Sequence, residues 1–436
     1  MRFYSTNNRK QLTSLKSAVL QGLAADNGLY MPEEIPMLSK SFFDGIHEMP
    51  FRQIAMDVAA KFAGEEIPPA DLKKIIDHTL QFDAPLVEIE NNISALELFH
   101  GPTMAFKDFG ARFMSQLLAF FSTRLKHEIV ILVATSGDTG SAVANGFLGV
   151  PGIRVIVLYP SGKVSDIQEK QFTTLGKNIT AFEVMGTFDD CQRLVKSAFL
   201  DGDLRDSFFL TSANSINIAR LIPQSFYYFY AYAKRKHHQK PVVFSVPSGN
   251  FGNLTGGVLA KRMGLPVEKF IAATNVNDVV PEYLKTGNMI PRPSQHTISN
   301  AMDVGNPSNF ARLMDLYQND FNSISQEIEG YAFTDSETAA AMQNVAKQFQ
   351  YTLDPHGAIG YLGLKQYFSG HEREVNGIFL ETAHPAKFQE VVEQVIHQKI
   401  SLPPTLEKFA KGKKQSLLTS KDYADFKKSL IGVIGK

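Results

Sequence analysis

The rhythm of apolar and polar positions changes several times along this chain, and each change marks an element. Leu12, Leu15, Ala18, Val19 and Leu23 recur at helical spacing, which predicts a helix. Gly28-Leu29-Tyr30-Met31-Pro32 ends it and begins an extended segment. A strand rhythm starts at residues 85–89. Phe106, Phe109, Phe113 and Leu117, with Met114, Leu118 and Phe121 beside them, give an amphipathic helix after Lys107. Ile129–Ala134 is an unbroken apolar run, as expected of a strand covered on both faces. Residues 153–159, 179–185, 241–246 and 375–380 read as further strands. Helices are expected from Ser141, from about Asp189, from Leu254 and near Ala386.

Repeated strand, polar loop and helix argue for an α/β protein, built on open, mostly parallel sheets with helices on both faces. The pattern suggests a mainly helical N-terminal domain (1–90), an α/β region of two subdomains (91–375) and a C-terminal segment (376–436) that completes the site and packs on the core. Ligands of such sheets lie outside the carboxyl ends of the strands. Here those ends carry polar, glycine-bearing loops.

Composition narrows the function. The chain has 436 residues, 44% hydrophobic and 20% charged, with a net charge of +0. That is ordinary for a large core and leaves no global field to gather nucleic acid or an anionic membrane. The lone cysteine, Cys191, excludes an intrachain disulfide and a multi-cysteine metal site, and fits a reducing compartment. Met1 to Asn8 lacks a signal-peptide core, and no apolar run reaches a membrane span. The expectation is a cytoplasmic protein acting on a small molecule, a monomer or homodimer, with no metal.

Lys107 stands among aromatic residues after a Gly-Pro turn, at the mouth of a helix. Desolvation there would lower its pKa and make its amine the nucleophile a Schiff-base lysine needs; taken alone, a solvated surface lysine fits as well. Gly249-Asn250-Phe251-Gly252-Asn253, between strand and helix, suits a phosphate at a helix N-terminus or is a plain βα turn. It is neither a Walker loop nor a dinucleotide fingerprint. Ser136-Gly137-Asp138-Thr139-Gly140 suits a carboxylate, or is a helix start capped by Asp138 or Thr139. Thr382 can be a cap or the partner of a pyridine nitrogen. His384 reads as catalytic or, more simply, structural. No serine-nucleophile elbow or zinc-protease motif occurs.

Together these pieces resemble one family. They include Gln21-Gly22-Leu23, Leu98-Phe99-His100-Gly101-Pro102-Thr103, Phe106-Lys107-Asp108, Ser212-Ala213-Asn214-Ser215-Ile216-Asn217, Asn300-Ala301-Met302-Asp303-Val304, Asp354-Pro355-His356-Gly357-Ala358 and Thr382-Ala383-His384-Pro385-Ala386-Lys387-Phe388. In this order they are similar to the threonine synthases, pyridoxal-phosphate enzymes of fold type II. Asp354 departs mildly from the Glu expected there. The resemblance implies a lyase that makes threonine and phosphate from O-phospho-L-homoserine and water. It implies that Lys107 links to pyridoxal phosphate, that Gly249, Asn250, Phe251, Gly252 and Asn253 hold the cofactor phosphate, and that Thr382 meets the ring nitrogen. Ser136, Asp138 and Thr139 would face the substrate's amino-acid end. For the substrate phosphate, Lys163 and the pair Asn217 and Arg220, expected on one helix face, are the candidates. A dehydratase or sulfhydrylase on the same fold, and a binding module without turnover, are the alternatives.

Overall fold

The computed structural model of the chain describes residues 1–123, 128–235, 239–371 and 374–435. In chain order its strands are β1 (Arg2–Ser5), β2 (Asn8–Ser14), β3 (Tyr30–Pro32), β4 (Leu86–Glu90), β5 (Ile93–Glu97), β6 (Ile129–Ala134), β7 (Ile153–Pro160), β8 (Ile179–Met185), β9 (Phe209–Ser212), β10 (Val242–Pro247), β11 (Lys269–Thr274), β12 (Ile328–Ala332), β13 (Asn376–Glu381) and β14 (Leu417–Ser420). Two units share them. One comprises Met1 with Met31–Phe106 and Leu221–Ser401; the other comprises Arg2–Tyr30, Lys107–Arg220 and Leu402–Lys436. The units interleave along the chain, where the apolar pattern suggests contiguous blocks meeting near residues 90 and 375.

In the first unit a sheet runs in the order β12-β11-β10-β13-β5-β4, parallel except for the edge pair β4/β5. All six residues of β10 and of β13 are buried. Alternate side chains serve opposite faces. Val243, Ile271, Ala273 and Phe379 share a cluster with Leu364, Met342 and Val345 from the helices Pro355–Gly370 and Asp335–Phe349. Phe244 and Phe270 meet Tyr228 from the helix Phe226–Lys234 on the other side, at 5.0 and 6.0 Å between ring centroids. Each such buried side chain stabilises the fold by about 1.5–3 kcal/mol. The chain lays down β10, β11 and β12 outward, then returns to place β13 on the opposite flank of β10. That reversal is a topological switch point, where open α/β sheets bind their ligands.

The second unit holds an all-parallel sheet in the order β14-β8-β7-β6-β9. Its strands β6, β7 and β8 pack Leu132, Ile156 and Phe182 against Cys191 and Leu194 of the helix Phe188–Leu200 and Phe426 of the helix Tyr423–Ile434. The helices Lys107–Ser122 and Asp138–Gly146 touch where Gly146 admits no side chain: a Cβ there would lie 3.1 Å from the carbonyl carbon of Ala111. The order reverses between β6 and β9.

The N-terminal helix is shorter than its apolar spacing predicts. Leu12 belongs to β2 and pairs with Tyr4 of β1 in an antiparallel hairpin. The helix is Leu15–Gln21; Ser14 caps it by accepting the Ser17 N–H, and Gly22 (φ +72°) closes it. The capping serine, and not the apolar period, sets where the helix begins. Among the described residues no helix is long and apolar enough to cross a membrane.

Candidate active site

At the end of β10 the chain turns through Ser248-Gly249-Asn250-Phe251 into the helix Gly252–Arg262. The left-handed residue of the turn is Phe251 (φ +59°), not one of the glycines, and no side chain caps the helix. The N–H groups of Gly252 and Asn253 therefore lack both an intrahelical acceptor and a capping oxygen. Asn253 spends its side chain on the turn itself. Its Nδ2 donates to the Pro247 carbonyl (2.7 Å), and its Oδ1 accepts from Ser248 Oγ (3.2 Å) and the Leu254 N–H (3.0 Å). What Asn253 offers a ligand is its backbone. Asn250 Oδ1 accepts the Ser308 N–H (2.6 Å). Gly249 lies flat on a neighbouring segment: a Cβ there would stand 2.7 Å from Met302 Cα and 2.9 Å from the Ala301 carbonyl. That segment is held by Asp303, which accepts from Asn275 Nδ2 (2.9 Å), Thr297 Oγ1 (2.7 Å) and the Thr297 N–H (3.1 Å). Glycine backbone, uncapped N–H groups and the positive end of a helix form the donor set a phosphate dianion requires.

Beside it, β13 pairs in parallel with both β10 and β5, so three carboxyl ends lie together. Thr382, just past β13, accepts the Phe106 N–H through its carbonyl (2.8 Å), and Ala383 bridges Ala105. Its hydroxyl, in a buried residue, bonds to no other described group. A neutral hydroxyl suits an aromatic ring nitrogen, to which it can donate. His384 is structural in its contacts. Nδ1 accepts the Ala386 N–H (3.1 Å) and caps the turn Pro385–Phe388, and its ring stands edge-on to Phe99 at 5.2 Å. Burial, opposed by the charge of Glu97, pulls its pKa down to about 4, so it is uncharged at neutral pH. Lys387, fully buried, donates to the Thr103 carbonyl (2.7 Å) and ties down the loop that leads to Lys107.

In the second unit Lys107 opens the helix Lys107–Ser122, directly after the Phe106 that Thr382 holds. Its Nζ is 3.9 Å from Asp138 Oδ2, with the two side chains 18% and 4% exposed. Neither Asp138 nor Thr139 caps the following helix. Gly137 (φ +143°) is the cap position, and Thr135 Oγ1 braces the turn by accepting the N–H groups of Gly137 (2.9 Å) and Gly140 (2.8 Å). The hydroxyls of Ser136 and Thr139, both half-buried, bond to no other described group. Gln168, which no sequence signal marks, fixes Asp138: Nε2 donates to Asp138 Oδ1 (2.8 Å), and Ser165 Oγ donates to its Oε1 (2.9 Å).

The three candidates for a second phosphate separate. Lys163 is exposed, in the loop after β7. Asn217 is fully buried. Nδ2 donates to the carbonyls of Val19 (2.9 Å) and Ser212 (3.3 Å), and Oδ1 accepts the Ala219 N–H (3.0 Å), so both amide hydrogens are engaged. Arg220 lies in the four-residue helix Ile218–Leu221 and is also buried, donating to the Ala213 carbonyl (2.5 Å) and packing on Gly110. Burial pulls its pKa down to about 10 against the charge of Asp108, so it remains cationic at neutral pH. The shared helix face expected of Asn217 and Arg220 does not form: both serve the interior.

Family models match most of the chain. One described as "Pyridoxal-phosphate dependent enzyme" matches residues 80–375, one described as "Threonine synthase N terminus" matches 2–80, and one described as "Threonine synthase, C-terminal" matches 357–429. The threonine synthase of Haemophilus influenzae is 46% identical over 94% of this chain and 94% of its own length. The crystal structure of threonine synthase from Escherichia coli superposes with a TM-score of 0.92 at 42% identity, covering 99% of this chain and 100% of that one. A pyridoxal-phosphate-bound threonine synthase from Brucella melitensis gives a TM-score of 0.92 at 34% identity over 99% and 98%.

Proposed function

We propose that this chain, which belongs to the threonine synthase family of pyridoxal-phosphate-dependent enzymes, converts O-phospho-L-homoserine and water to L-threonine and phosphate. Its class is a lyase of threonine biosynthesis, and its cofactor is pyridoxal phosphate. One observation carries the assignment of the site. An uncapped glycine turn and an unbonded threonine hydroxyl leave the carboxyl ends of adjacent parallel strands, β10 and β13, at a switch point. A phosphorylated pyridine asks for that pair of groups.

In this reading Gly249, Asn250, Phe251, Gly252 and Asn253 hold the cofactor phosphate, chiefly through backbone N–H groups. Thr382 donates to the ring nitrogen, and Lys107 carries the covalent link. Bound pyridoxal phosphate supplies an electron sink for charge developing at Cα. Lys107, whose amine would link to the cofactor, is the base placed to take the Cα proton and then a Cβ proton. Phosphate leaves from Cγ, the proton taken from Cβ is returned to Cγ, water adds at Cβ with loss of one of its protons, and Cα is reprotonated. Asp138, fixed by Gln168, orients the Lys107 amine. Ser136 and Thr139 offer hydroxyls to the substrate's amino-acid end. Lys163 is the exposed cation among the three phosphate candidates and is assigned to the substrate phosphate; Asn217 and Arg220 support the region from within. The substrate is the partner the reaction needs. A monomer or homodimer in the cytoplasm, without nucleic acid or membrane, completes the reading.

The test is phosphate release by the purified holoenzyme with O-phospho-L-homoserine, with the organic product identified by mass spectrometry. Threonine formed in step with phosphate is expected. A 2-oxo acid and ammonia in place of threonine, or a cofactor-loaded protein that releases no phosphate, overturns the assignment.

A further inference from the structure

Next to Thr382 lies a line of buried polar groups that none of the steps above uses. Glu381 is fully buried, and its Oε1 accepts the Asp354 N–H (2.8 Å). Asp354 caps the helix Pro355–Gly370. Its Oδ1 accepts the His356 N–H (2.8 Å), and its Oδ2 accepts the Gly357 N–H (3.3 Å). The same Oδ1 stands 2.5 Å from His356 Nδ1, and the Ala301 N–H points at His356 Nε2 across 3.2 Å. A backbone N–H can only donate, so Nε2 is the acceptor and Nδ1 carries the proton it gives to Asp354. Ala301 and Met302 are the surface on which Gly249 lies flat. The line therefore begins beside Thr382 and ends under the glycine turn.

We propose that Asp354 and His356 are positioning residues that hold the Gly249–Asn253 turn and Thr382 at a fixed spacing, and so set the fit of pyridoxal phosphate. The proposal rests on the reading above, in which those two elements hold opposite ends of the cofactor. The physical need is plain. Turn and threonine leave different strands, while the distance between the phosphate and the ring nitrogen of the cofactor is set by covalent geometry. Small errors in spacing must be prevented from outside the ligand, by groups that cannot exchange their bonds for water. The side chains of His356 and Asp354 are 3% and 0% exposed, which meets that condition.

Three variants of His356 separate the two bonds. His356→Gln places an amide end near the position of Nε2 and can still accept from Ala301. His356→Asn places one near Nδ1, keeping Asp354 partnered but leaving Ala301 without its acceptor. His356→Leu loses both. The measurement is the dissociation constant of pyridoxal phosphate on reconstitution of each apoprotein, read by cofactor absorbance, beside the thermal midpoint of the apo form. The Gln variant is expected within about threefold of wild type, and the Asn variant weaker by about three- to tenfold, as for loss of one hydrogen bond, with a displaced absorbance maximum. The Leu variant should be weaker still; should it fail to fold, the Gln–Asn pair decides. Equal affinity in the Gln and Asn variants overturns the proposal. Gly252→Val serves as the control. If it leaves cofactor affinity unchanged, the reading of the turn has failed; if it weakens affinity while Asn matches Gln, only the positioning role has failed.

Discussion

Lys107 and Thr382 are joined through one intervening residue, since Thr382 holds the N–H of Phe106. Two predictions belong at this scale. Lys107→Ala should remove the adduct that borohydride traps between protein and pyridoxal phosphate, with nearly all turnover; an adduct of wild-type yield on another lysine, located by peptide mapping, refutes it. Thr382→Val removes one neutral hydrogen bond, worth about 0.5–1.5 kcal/mol net. It should keep the cofactor, shift its absorbance and slow phosphate release, and a variant that loses its fold instead would mark Thr382 as structural. Both residues stood out in the sequence as candidates because their neighbours are distinctive. Gln168 did not, because a glutamine inside a helix carries no local sign that it will meet Asp138 from 30 positions away.

The loop after β6 behaves as a unit: Thr135 braces it from behind, Gly137 supplies the left-handed turn, and Asp138 begins a helix instead of capping one. The segment around Asn217 and Arg220 behaves differently. Asn217 joins the N-terminal helix to the end of β9, and Arg220 is a buried cation near Asp108. Removing one partner of a buried charge pair costs about 3–5 kcal/mol. Arg220→Ala should therefore lower the denaturant midpoint sharply while leaving kcat/KM per folded molecule near wild type. A stable variant with a large, selective loss in kcat/KM for O-phospho-L-homoserine would return Arg220 to the substrate phosphate. That role was expected because Asn217 and Arg220 stand three apart, as on one helix face, and spacing alone does not reveal burial.

Across the whole molecule, a prediction about pH and stability rests on Glu381. Burial, reinforced by the charge of Asp354, raises its pKa well above the usual carboxyl range, so the fold favours its neutral form. An unfolded glutamic acid ionises near about 4.3. A group raised in the folded state contributes its full stability below the unfolded value and loses it as pH climbs through the folded one. Glu381→Gln keeps the shape and cannot ionise. Thermal unfolding of both proteins from pH 5 to pH 9 should show the variant gaining on wild type as pH rises; a constant difference would mean that Glu381 does not titrate with folding.

Some features followed from the sequence alone. Unbroken apolar runs such as Ile129–Ala134 can satisfy water and backbone only as covered strands, and glycine turns between strand and helix expose backbone donors wherever the fold puts them. The α/β class and the parallel strands came from such local rules, which also marked Lys107, the Gly249–Asn253 turn and Thr382 as candidates, while the roles proposed for them came from the family resemblance. Tertiary structure decided the rest. It made the first residues a hairpin because Tyr4 pairs with Leu12 and Ser14 caps the helix after it. It placed the turn and Thr382 on neighbouring strands separated by more than a hundred positions, and it turned Asn217 and Arg220 inward. Strand order and burial depend on contacts between distant segments, and no short window of sequence contains both partners of such a contact.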